Sequence, residues 1–372
     1  MREIGDAWHE DVVQGLRRYR VPLVFENGQL DLQVTIDPRG KVAGVFMLPH
    51  RDAPAEATGR AIEIVVGDEA RGLPGVLTLP EGSGPFPGVV LVHGSGPNDR
   101  DESTGPNRPF RELATGFGRL GIAVLRYDKR SFAHPSDLEA LGAGLTVREE
   151  VIDDAVLALR LLRERPEIDR NKVFVLGHSL GGTLAPRIAA AEPRPAGMIV
   201  LAGMATPFPE KLREQARYIA RAEEEPSDEE AAALERVEAD LVALRAMLDG
   251  EQPPAALDSL GVSVGYFADL ERHDPPAEAV DLGLPILVLQ GRRDFQVTMQ
   301  DFGNWEAALA GKPFACLVVY DELDHLFHRG TGPSRPQDYL RAAPVDARVI
   351  ADASAWIHRR QCPVAPADVS TP

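Results

Sequence analysis

Short apolar runs and amphipathic patterns alternate along most of the chain. From Ala61 onward, strand-like runs occur in the order IEIVVG, GVLTLP, FPGVVLVH, IAVLRYD, KVFVLG, GMIVLAG, PILVLQG and ACLVVYD. Helical patterns fill most of the gaps, the longest being TVREEVIDDAVLALRLLRE and VDARVIADASAWIHRR. Apolar strands joined by helices are typical of a parallel sheet covered on both faces. The pattern therefore predicts an α/β protein with a doubly wound, mostly parallel sheet.

One segment interrupts this alternation. Residues 205–280 carry helical patterns without an intervening strand, and Ser227 and Glu230 form a capping-box signature at the start of one of them. An apolar stripe follows at helical spacing, consisting of Leu234, Val237, Leu241, Leu244 and Leu248, before Gly250 ends the segment. We predict a helical cap insertion whose stripe packs onto the main domain.

The two ends of the chain also differ from the middle. Residues 1–60 contain an amphipathic segment near residues 6–19, then the strand-like runs LDLQVTI and KVAGVFML, joined by a turn at residues 37–40. We predict a small N-terminal α+β module at residues 1–60, a main domain at residues 61–362, and a flexible tail at residues 363–372.

Composition narrows the classes of partner. The 372 residues are 44% hydrophobic and carry a formal net charge of −17, which disfavours binding to nucleic acid or to anionic membranes. The N-terminus does not resemble a signal peptide and no apolar run is long enough to span a membrane, so a cytoplasmic protein is expected. We expect Cys316 and Cys362 to be reduced and to form no metal site. The oligomeric state stays open, with a homodimer among the alternatives.

A serine between glycines follows the run KVFVLG. Residues 177–181 read Gly-His-Ser-Leu-Gly, and the helix-forming run TLAPRIAAA comes shortly after them. The pattern G-x-S-x-G between a strand and a helix is typical of a sharp turn that exposes a nucleophilic serine at a helix N-terminus. A glycine-rich turn without reactivity is the alternative when the motif stands alone. In this context we predict that Ser179 is a nucleophile.

A serine nucleophile requires a general base. The run ACLVVYD is followed by Glu-Leu-Asp-His, which places His325 directly after a predicted strand. His328 is the competitor, but it comes one helical turn later beside Arg329 and is expected to be exposed. We therefore predict His325 as the base.

The base in turn requires a carboxylate that orients it. Asp321, Glu322 and Asp324 are so close to His325 in sequence that reaching its far nitrogen would be awkward. The run PILVLQG is followed by Arg-Arg-Asp, which places Asp294 at the carboxyl end of another strand. We predict Asp294 as the orienting carboxylate, with an N-cap or a salt bridge as its alternative use.

Acyl transfer also requires amide donors aimed at the oxyanion. The amide after the nucleophile, that of Leu180, is one such donor. The glycine-containing loop HGSGPNDRDE after FPGVVLVH supplies another, which we assign to the Ser95 amide, with the Gly94 amide as second choice. Arg100 and Arg130 lie in runs of mixed charge, where salt bridges between loops are favoured over contact with a substrate carboxylate.

Six ordered motifs resemble those of the α/β-hydrolase superfamily. They are HGSGPNDRDE, RYDKR, LGHSLGG, LAPRIAA, LQGRRDFQVT and LDHLFHRGTGPS. More narrowly, they are similar to bacterial esterases related to dienelactone hydrolases and serine aminopeptidases. The resemblance covers roughly residues 61–362 and implies the α/β-hydrolase fold, Ser179, Asp294 and His325 as the catalytic residues, and no cofactor.

The expected activity is hydrolysis of small carboxylic esters through an acyl-enzyme. A peptidase or aminopeptidase of the same fold is the nearest alternative. A non-catalytic binding protein is the alternative from a different class, and the presence of a nucleophile, an acid and a base in order argues against it. No P-loop lysine and no G-x-G-x-x-G motif follows a strand, so nucleotide chemistry is not indicated.

Overall fold

A computed structural model describes residues 2–4, 8–13, 16–26, 28–49, 59–68, 70–221, 228–249 and 264–363. Its strands are β1 (Glu3–Ile4), β2 (Trp8–Val13), β3 (Leu16–Phe25), β4 (Gly28–Ile36), β5 (Val42–Pro49), β6 (Arg60–Val66), β7 (Leu73–Leu79), β8 (Phe86–Val92), β9 (Ala123–Tyr127), β10 (Ile168–His178), β11 (Met198–Leu201), β12 (Ile286–Gly291) and β13 (Ala315–Tyr320).

The helices follow the same chain order. They are α1 (Pro109–Arg119), α2 (Arg130–Ala133), α3 (Pro135–Glu139), α4 (Asp153–Glu164), α5 (Leu180–Ala190), α6 (Phe208–Arg221), α7 (Asp228–Leu248), α8 (Val264–Glu271), α9 (Pro275–Leu282), α10 (Met299–Leu309) and α11 (Ala347–Arg359). Shorter turns are the 3₁₀ segments Gly142–Gly144 and Pro336–Leu340 and the π-helical turn Arg148–Ile152, which leads directly into α4. The chain divides into two compact units, one of residues 1–57, 104–107 and 337–343 and one of the remaining residues.

The smaller unit contains an antiparallel sheet. Its strand order is β1-β3-β4-β5, with β2 also paired to β3. The turn between β4 and β5 is held by Asp37, whose Oδ1 accepts hydrogen bonds from the Arg39 and Lys41 amides at 2.9 and 2.8 Å. The predicted strands LDLQVTI and KVAGVFML correspond to β4 and β5.

The helical candidate of the predicted α+β module was the amphipathic segment near residues 6–19. That prediction is wrong for the described residues. Those residues form β2 and the first part of β3. The reason is non-local: β3 pairs with β4 from Arg17 to Phe25, and the side chains of Arg20 and Asp31 form a buried ion pair across that pairing at 3.1 Å. Pairing between strands outweighs local helical periodicity here.

The larger unit is built on an eight-stranded sheet in the order β13-β12-β11-β10-β8-β9-β7-β6. Strands β8 to β13 are parallel to one another, while β7 pairs antiparallel with both β9 and the edge strand β6. This arrangement confirms the predicted doubly wound, mostly parallel sheet. The carboxyl ends of the parallel strands meet at one edge, which is where ligand sites of such sheets lie.

Neighbouring residues of the central strands belong to two different apolar clusters. Val90 of β8 and Val175 of β10 lie in one cluster, whereas Leu91 and Phe174 lie in the other. The first cluster includes side chains of α4, α5 and α10, and the second includes side chains of α1 and α11. Successive residues of a strand point to opposite faces of the sheet, so the two clusters lie on opposite faces. Both faces are therefore covered by helices.

Helices α6 to α9 form the insertion between β11 and β12. The prediction that its apolar stripe packs onto the main domain is wrong for the central stripe residues, because Leu241 and Leu244 are buried against residues of α6 and α8 within the insertion itself. A cluster of three helices can bury that stripe without the sheet. Ser227, Gly250 and residues 364–372 of the predicted tail lie outside the described residues.

Two ion pairs attach the insertion to the main domain. Arg187 of α5 makes a bidentate pair with Asp269 of α8 at 3.0 and 3.2 Å. Lys211 of α6 is almost fully buried and its Nζ lies 2.5 Å from Oδ2 of Asp301 in α10. Asp301 also closes the capping box of α10 with Thr298. The insertion therefore has fixed attachment points on α5 and α10.

The expectation of two reduced cysteines is wrong. Cys316 of β13 and Cys362, which follows α11, form a disulfide across a sequence separation of 46 residues. The wide separation in sequence concealed this pairing. The end of α11 brings the second cysteine back to the strand, because α11 packs on the sheet with its apolar face.

Candidate active site

Ser179 occupies the turn between β10 and α5. Its backbone has φ 52° and ψ −119°, an unusual conformation for a residue other than glycine. The turn excludes side chains on both sides: a Cβ at Gly177 would lie 2.0 Å from the Gly181 carbonyl oxygen, and one at Gly181 would lie 2.2 Å from that of Val92. Both glycines of the motif are therefore required by the close approach of the backbone.

The hydroxyl of Ser179 is available for chemistry. Its backbone amide is fixed by a 2.9 Å hydrogen bond to the Leu201 carbonyl, but within the described residues its side chain has no hydrogen-bond partner. Ser179 is the N-cap of α5, so the side chain lies beside the free first-turn amides of a helix. An anion that forms at Ser179 would be stabilised at this position.

The structure brings His325 and Asp294 together from two neighbouring strand ends. Asp294 follows β12 and His325 follows β13, and the Nδ1 atom of His325 lies 2.7 Å from Oδ2 of Asp294. Both side chains are at least 95% buried. The His325 ring also packs against the ring of His178, the residue before Ser179, with 4.7 Å between the ring centroids. The predicted base and acid are in contact, next to the serine turn.

Four donors surround the carboxylate of Asp294. Oδ1 accepts hydrogen bonds from the amides of Gln296 and Val297 at 2.8 and 2.9 Å. Oδ2 accepts the His325 bond and a 3.2 Å bond from the Gln290 side-chain amide. The two carboxylate oxygens accept all four hydrogen bonds, which hold the side chain in place against the His325 ring.

The competing acids have other roles. Asp324 holds the turn that carries His325, because its Oδ1 accepts hydrogen bonds from the amides of Leu326 and His328 at 3.0 and 2.9 Å. Asp321 pairs with Arg292, and Glu322 pairs with Arg348. None of these three contacts involves the His325 ring, as the distance argument from the sequence predicted.

The expectation that His328 is exposed is wrong. Its side chain is buried, and its Nε2 atom has no hydrogen-bond partner in the part of the chain that the structure describes. Burial, followed by the nearby charge of His178, lowers the pKa of His328 to about 4. An imidazole with so low a pKa is a weak proton acceptor, which argues against His328 as the general base.

The loop after β8 approaches the serine closely. A Cβ at Gly94 would lie 3.0 Å from the Cβ of Ser179. The Gly94 amide, the second choice as oxyanion donor, is engaged: it donates a 2.6 Å hydrogen bond to Oε1 of Glu102. The amide of Ser95, an exposed residue, has no acceptor among the described residues. Of the two candidates, only the Ser95 amide is free to bind an oxyanion.

Sequence reasoning missed the pair of Glu102 and His178. Oε2 of Glu102 lies 2.9 Å from Nδ1 of His178, and Nε2 of His178 donates a 2.9 Å hydrogen bond to the carbonyl oxygen of His325. Burial would lower the pKa of His178, but the charge and hydrogen bond of Glu102 outweigh it and raise the pKa. One buried pair thus connects the loop after β8, the turn of Ser179 and the loop that carries His325.

The arginines of the mixed-charge runs form salt bridges, as predicted. Arg100 contacts Asp128 through two nitrogens at 3.0 and 2.9 Å, and also pairs with Glu63. Arg130 pairs with Asp154 through two nitrogens at 2.9 and 2.5 Å. Both guanidinium groups are therefore engaged by carboxylates of the protein itself.

Comparisons with known proteins agree with the fold. A family model described as the alpha/beta hydrolase family matches residues 89–343. The chain is 38% identical over 366 residues to Esterase EstD of Thermotoga maritima, a match that covers 96% of this chain and 83% of that protein.

Solved structures with the same fold include a Mycobacterium tuberculosis puromycin-hydrolyzing peptidase. That match has a TM-score of 0.54 at 16% identity and covers 93% of this chain and 46% of the other. A puromycin hydrolase S511A mutant complexed with PGG matches with a TM-score of 0.52 at 14% identity, over 96% of this chain and 54% of the other. At such identities the similarity concerns the fold alone. The family match, the sheet order and the serine turn together establish that this chain is an enzyme of the alpha/beta hydrolase family.

Proposed function

We propose that the protein is a serine carboxylesterase that hydrolyses small carboxylic esters through an acyl-enzyme. The observation that carries the proposal is the 2.7 Å contact between His325 and Asp294 beside the strained turn of Ser179. The 38% identity to a protein named an esterase supports an ester as the substrate. No cofactor takes part in the proposed reaction.

The proposed reaction has two halves. The oxygen of Ser179 attacks the ester carbonyl while Nε2 of His325 takes the hydroxyl proton, and Asp294 stabilises the resulting imidazolium through Nδ1. The amides of Leu180 and Ser95 bind the oxyanion. His325 then protonates the leaving alcohol. Water repeats the sequence: His325 takes its proton, its oxygen attacks the acyl carbonyl, and the carboxylic acid leaves as Ser179 regains a proton.

The insertion supplies part of the proposed acyl pocket. A cavity of about 160 Å³ is lined by Thr183, one turn after Ser179 on α5, and by Met204, Phe208 and Leu270, with polar residues at its edge. A cavity of about 150 Å³ holds a ligand the size of benzene. We therefore propose that α6 and α8 of the insertion cap the site and favour acyl groups of about six carbons or fewer.

Hydrolysis of p-nitrophenyl esters by the purified protein tests the proposal. Wild type should hydrolyse the acetate and butyrate esters, and Ser179→Ala should lose at least about 10³-fold in kcat. Equal rates for the two proteins would refute the assignment of the nucleophile. Aminoacyl p-nitroanilides, tested in parallel, separate an esterase from a peptidase: faster cleavage of these amides would favour the peptidase. Failure of a fluorophosphonate probe to label Ser179 would favour a non-catalytic binding protein.

The cellular location calls for a separate experiment. No helix among the described residues is both long and apolar enough to cross a membrane. Cytoplasmic residence, which the sequence predicts, is our proposal, and the Cys316–Cys362 disulfide is the observation against it, since such bonds are rare in cytosolic proteins. Cell fractionation, combined with alkylation of free thiols, tests the proposal. An exported protein whose cysteines are fully oxidised would refute cytoplasmic residence. Size-exclusion chromatography with light scattering tests for a homodimer.

A further inference from the structure

Lys129 is a buried lysine that the reaction described above does not use. Only 2% of its side chain is exposed. Its Nζ donates hydrogen bonds to the carbonyl oxygens of Gly94 and Gly96 at 2.9 and 3.1 Å, and lies 3.0 Å from Oε1 of Glu150. An ammonium has three protons, and here three acceptors take them. Two of the three acceptors belong to the loop that carries the proposed oxyanion donor.

The bond to Gly94 fixes the direction of the Ser95 amide. The carbonyl of Gly94 and the N–H of Ser95 belong to one planar trans peptide, in which the two groups point in opposite directions. Lys129 and the side-chain amide of Asn98 hold that carbonyl toward the interior, at 2.9 and 3.2 Å. The N–H of Ser95 consequently points to the open side of the loop.

The preceding peptide is fixed as well. The N–H of Gly94 donates to Glu102 at 2.6 Å, so the loop cannot rotate about Gly94 without breaking a buried contact on each side. The same loop is in van der Waals contact range of Ser179. A positive charge bonded to the Gly94 carbonyl also polarises the peptide and strengthens its N–H as a donor to an anion.

We propose that Lys129 is a positioning residue of the oxyanion site, which holds the Gly94–Ser95 peptide so that the Ser95 amide faces the developing oxyanion. The inference rests on the proposed esterase activity. Glu150 completes the arrangement, because its Oε2 accepts a 2.6 Å hydrogen bond from the hydroxyl of Tyr266 in α8. The oxyanion loop is thereby connected through two buried side chains to a helix of the insertion.

The test compares Lys129→Met with a control at the neighbouring position. Methionine keeps the apolar stem and removes the charge and the three donors. Arg130→Met is the matched control, because Arg130 bonds to Asp154 and, among the described residues, forms no hydrogen bond or ion pair with residues 94–96. Lys129→Met leaves the Glu150 carboxylate unpaired in the core, so the double variant Lys129→Met/Glu150→Gln is included to restore stability.

A misdirected oxyanion amide lowers kcat without weakening substrate binding. We expect kcat to fall about 10- to 100-fold in Lys129→Met and in the double variant, with KM within about threefold of wild type. Inhibition by a trifluoromethyl ketone, which forms a tetrahedral adduct with the serine, should weaken by the same factor. Arg130→Met should keep kcat within about threefold of wild type.

The outcomes separate this inference from the proposed function. If wild type shows no hydrolysis dependent on Ser179, the proposed function fails. If wild type is active but the folded double variant keeps the kcat of wild type, or changes KM alone, the positioning role of Lys129 is refuted. A fall in kcat with unchanged inhibition by the ketone would also refute it, since it would place the defect outside the oxyanion site.

Discussion

Replacing Asp294 by asparagine is the sharpest test of the catalytic arrangement. In the wild type, one carboxylate accepts from four donors: the amides of Gln296 and Val297 at Oδ1, and His325 and Gln290 at Oδ2. An asparagine has a single acceptor oxygen. If that oxygen keeps the two backbone amides, its NH₂ group faces Nδ1 of His325.

That replacement reverses the tautomer of the base. Nδ1 of His325 can meet an NH₂ group only as an acceptor, which moves the imidazole proton to Nε2 and removes the lone pair that would take the proton of Ser179. In a Ser-His-Asp arrangement the wrong tautomer lowers kcat by about 10⁴-fold, which is about 5 kcal/mol of barrier. We expect a loss of about 10³- to 10⁴-fold in kcat, with little change in KM.

A matched control lies in the histidine loop. Both hydrogen bonds of Asp324 end on its Oδ1 atom, so Asp324→Asn can keep them with its amide oxygen. We expect this variant to stay within about tenfold of wild type. The assay is hydrolysis of p-nitrophenyl butyrate at pH 8, with the active-site concentration determined by fluorophosphonate titration. A kcat of Asp294→Asn within tenfold of wild type would refute Asp294 as the orienting carboxylate.

Three further predictions concern the pocket, the buried pair and the disulfide. Leu270→Ala should move the preferred acyl chain toward longer esters by about fourfold in kcat/KM per added methylene, whereas Val237→Ala, in the separate cluster of the insertion, should not. Burial is outweighed by mutual attraction, so the pKa of His178 is raised above 6.5 and that of Glu102 lowered below 4.5. The pair therefore stabilises the folded state fully between those two values. Its contribution decreases as the pH rises through the folded pKa of His178 or falls through that of Glu102. The Tm difference between wild type and Glu102→Gln, measured from pH 4 to 9, should be largest near pH 5 to 6, and a constant difference would contradict this. Cys362→Ser should lower the free energy of unfolding by about 2–4 kcal/mol in urea with kcat unchanged, and reductant should destabilise wild type but not the variant.

Local patterns in the sequence were enough to predict the sheet and the positions of the principal catalytic candidates. Periodicity of apolar residues is local, so the strands β6 to β13 could be predicted from short windows of sequence. Ser179 was recognised from its flanking glycines and the following helix. Asp294 and His325 followed from the rule that carboxyl ends of parallel strands meet at one edge.

Tertiary structure alone decided the contacts that support those residues. His178 bonds to a carbonyl 147 positions later, and Glu150 bonds to a tyrosine 116 positions later. Nothing local in the sequence marks such partners. The mixed-charge runs indicated that ion pairs would form. Which carboxylate pairs with Lys129, His178 or Arg130 depends on how the chain packs.

The same reason explains the wrong predictions. His328, one helical turn after His325, is buried because the loop folds back over Asp324, and Cys362 meets Cys316 because α11 returns to β13. The sequence predicts which residues are candidates for catalysis and at which strand end they lie. Which of them are enclosed, charged and held in place depends on burial, and burial is a property of the packed chain.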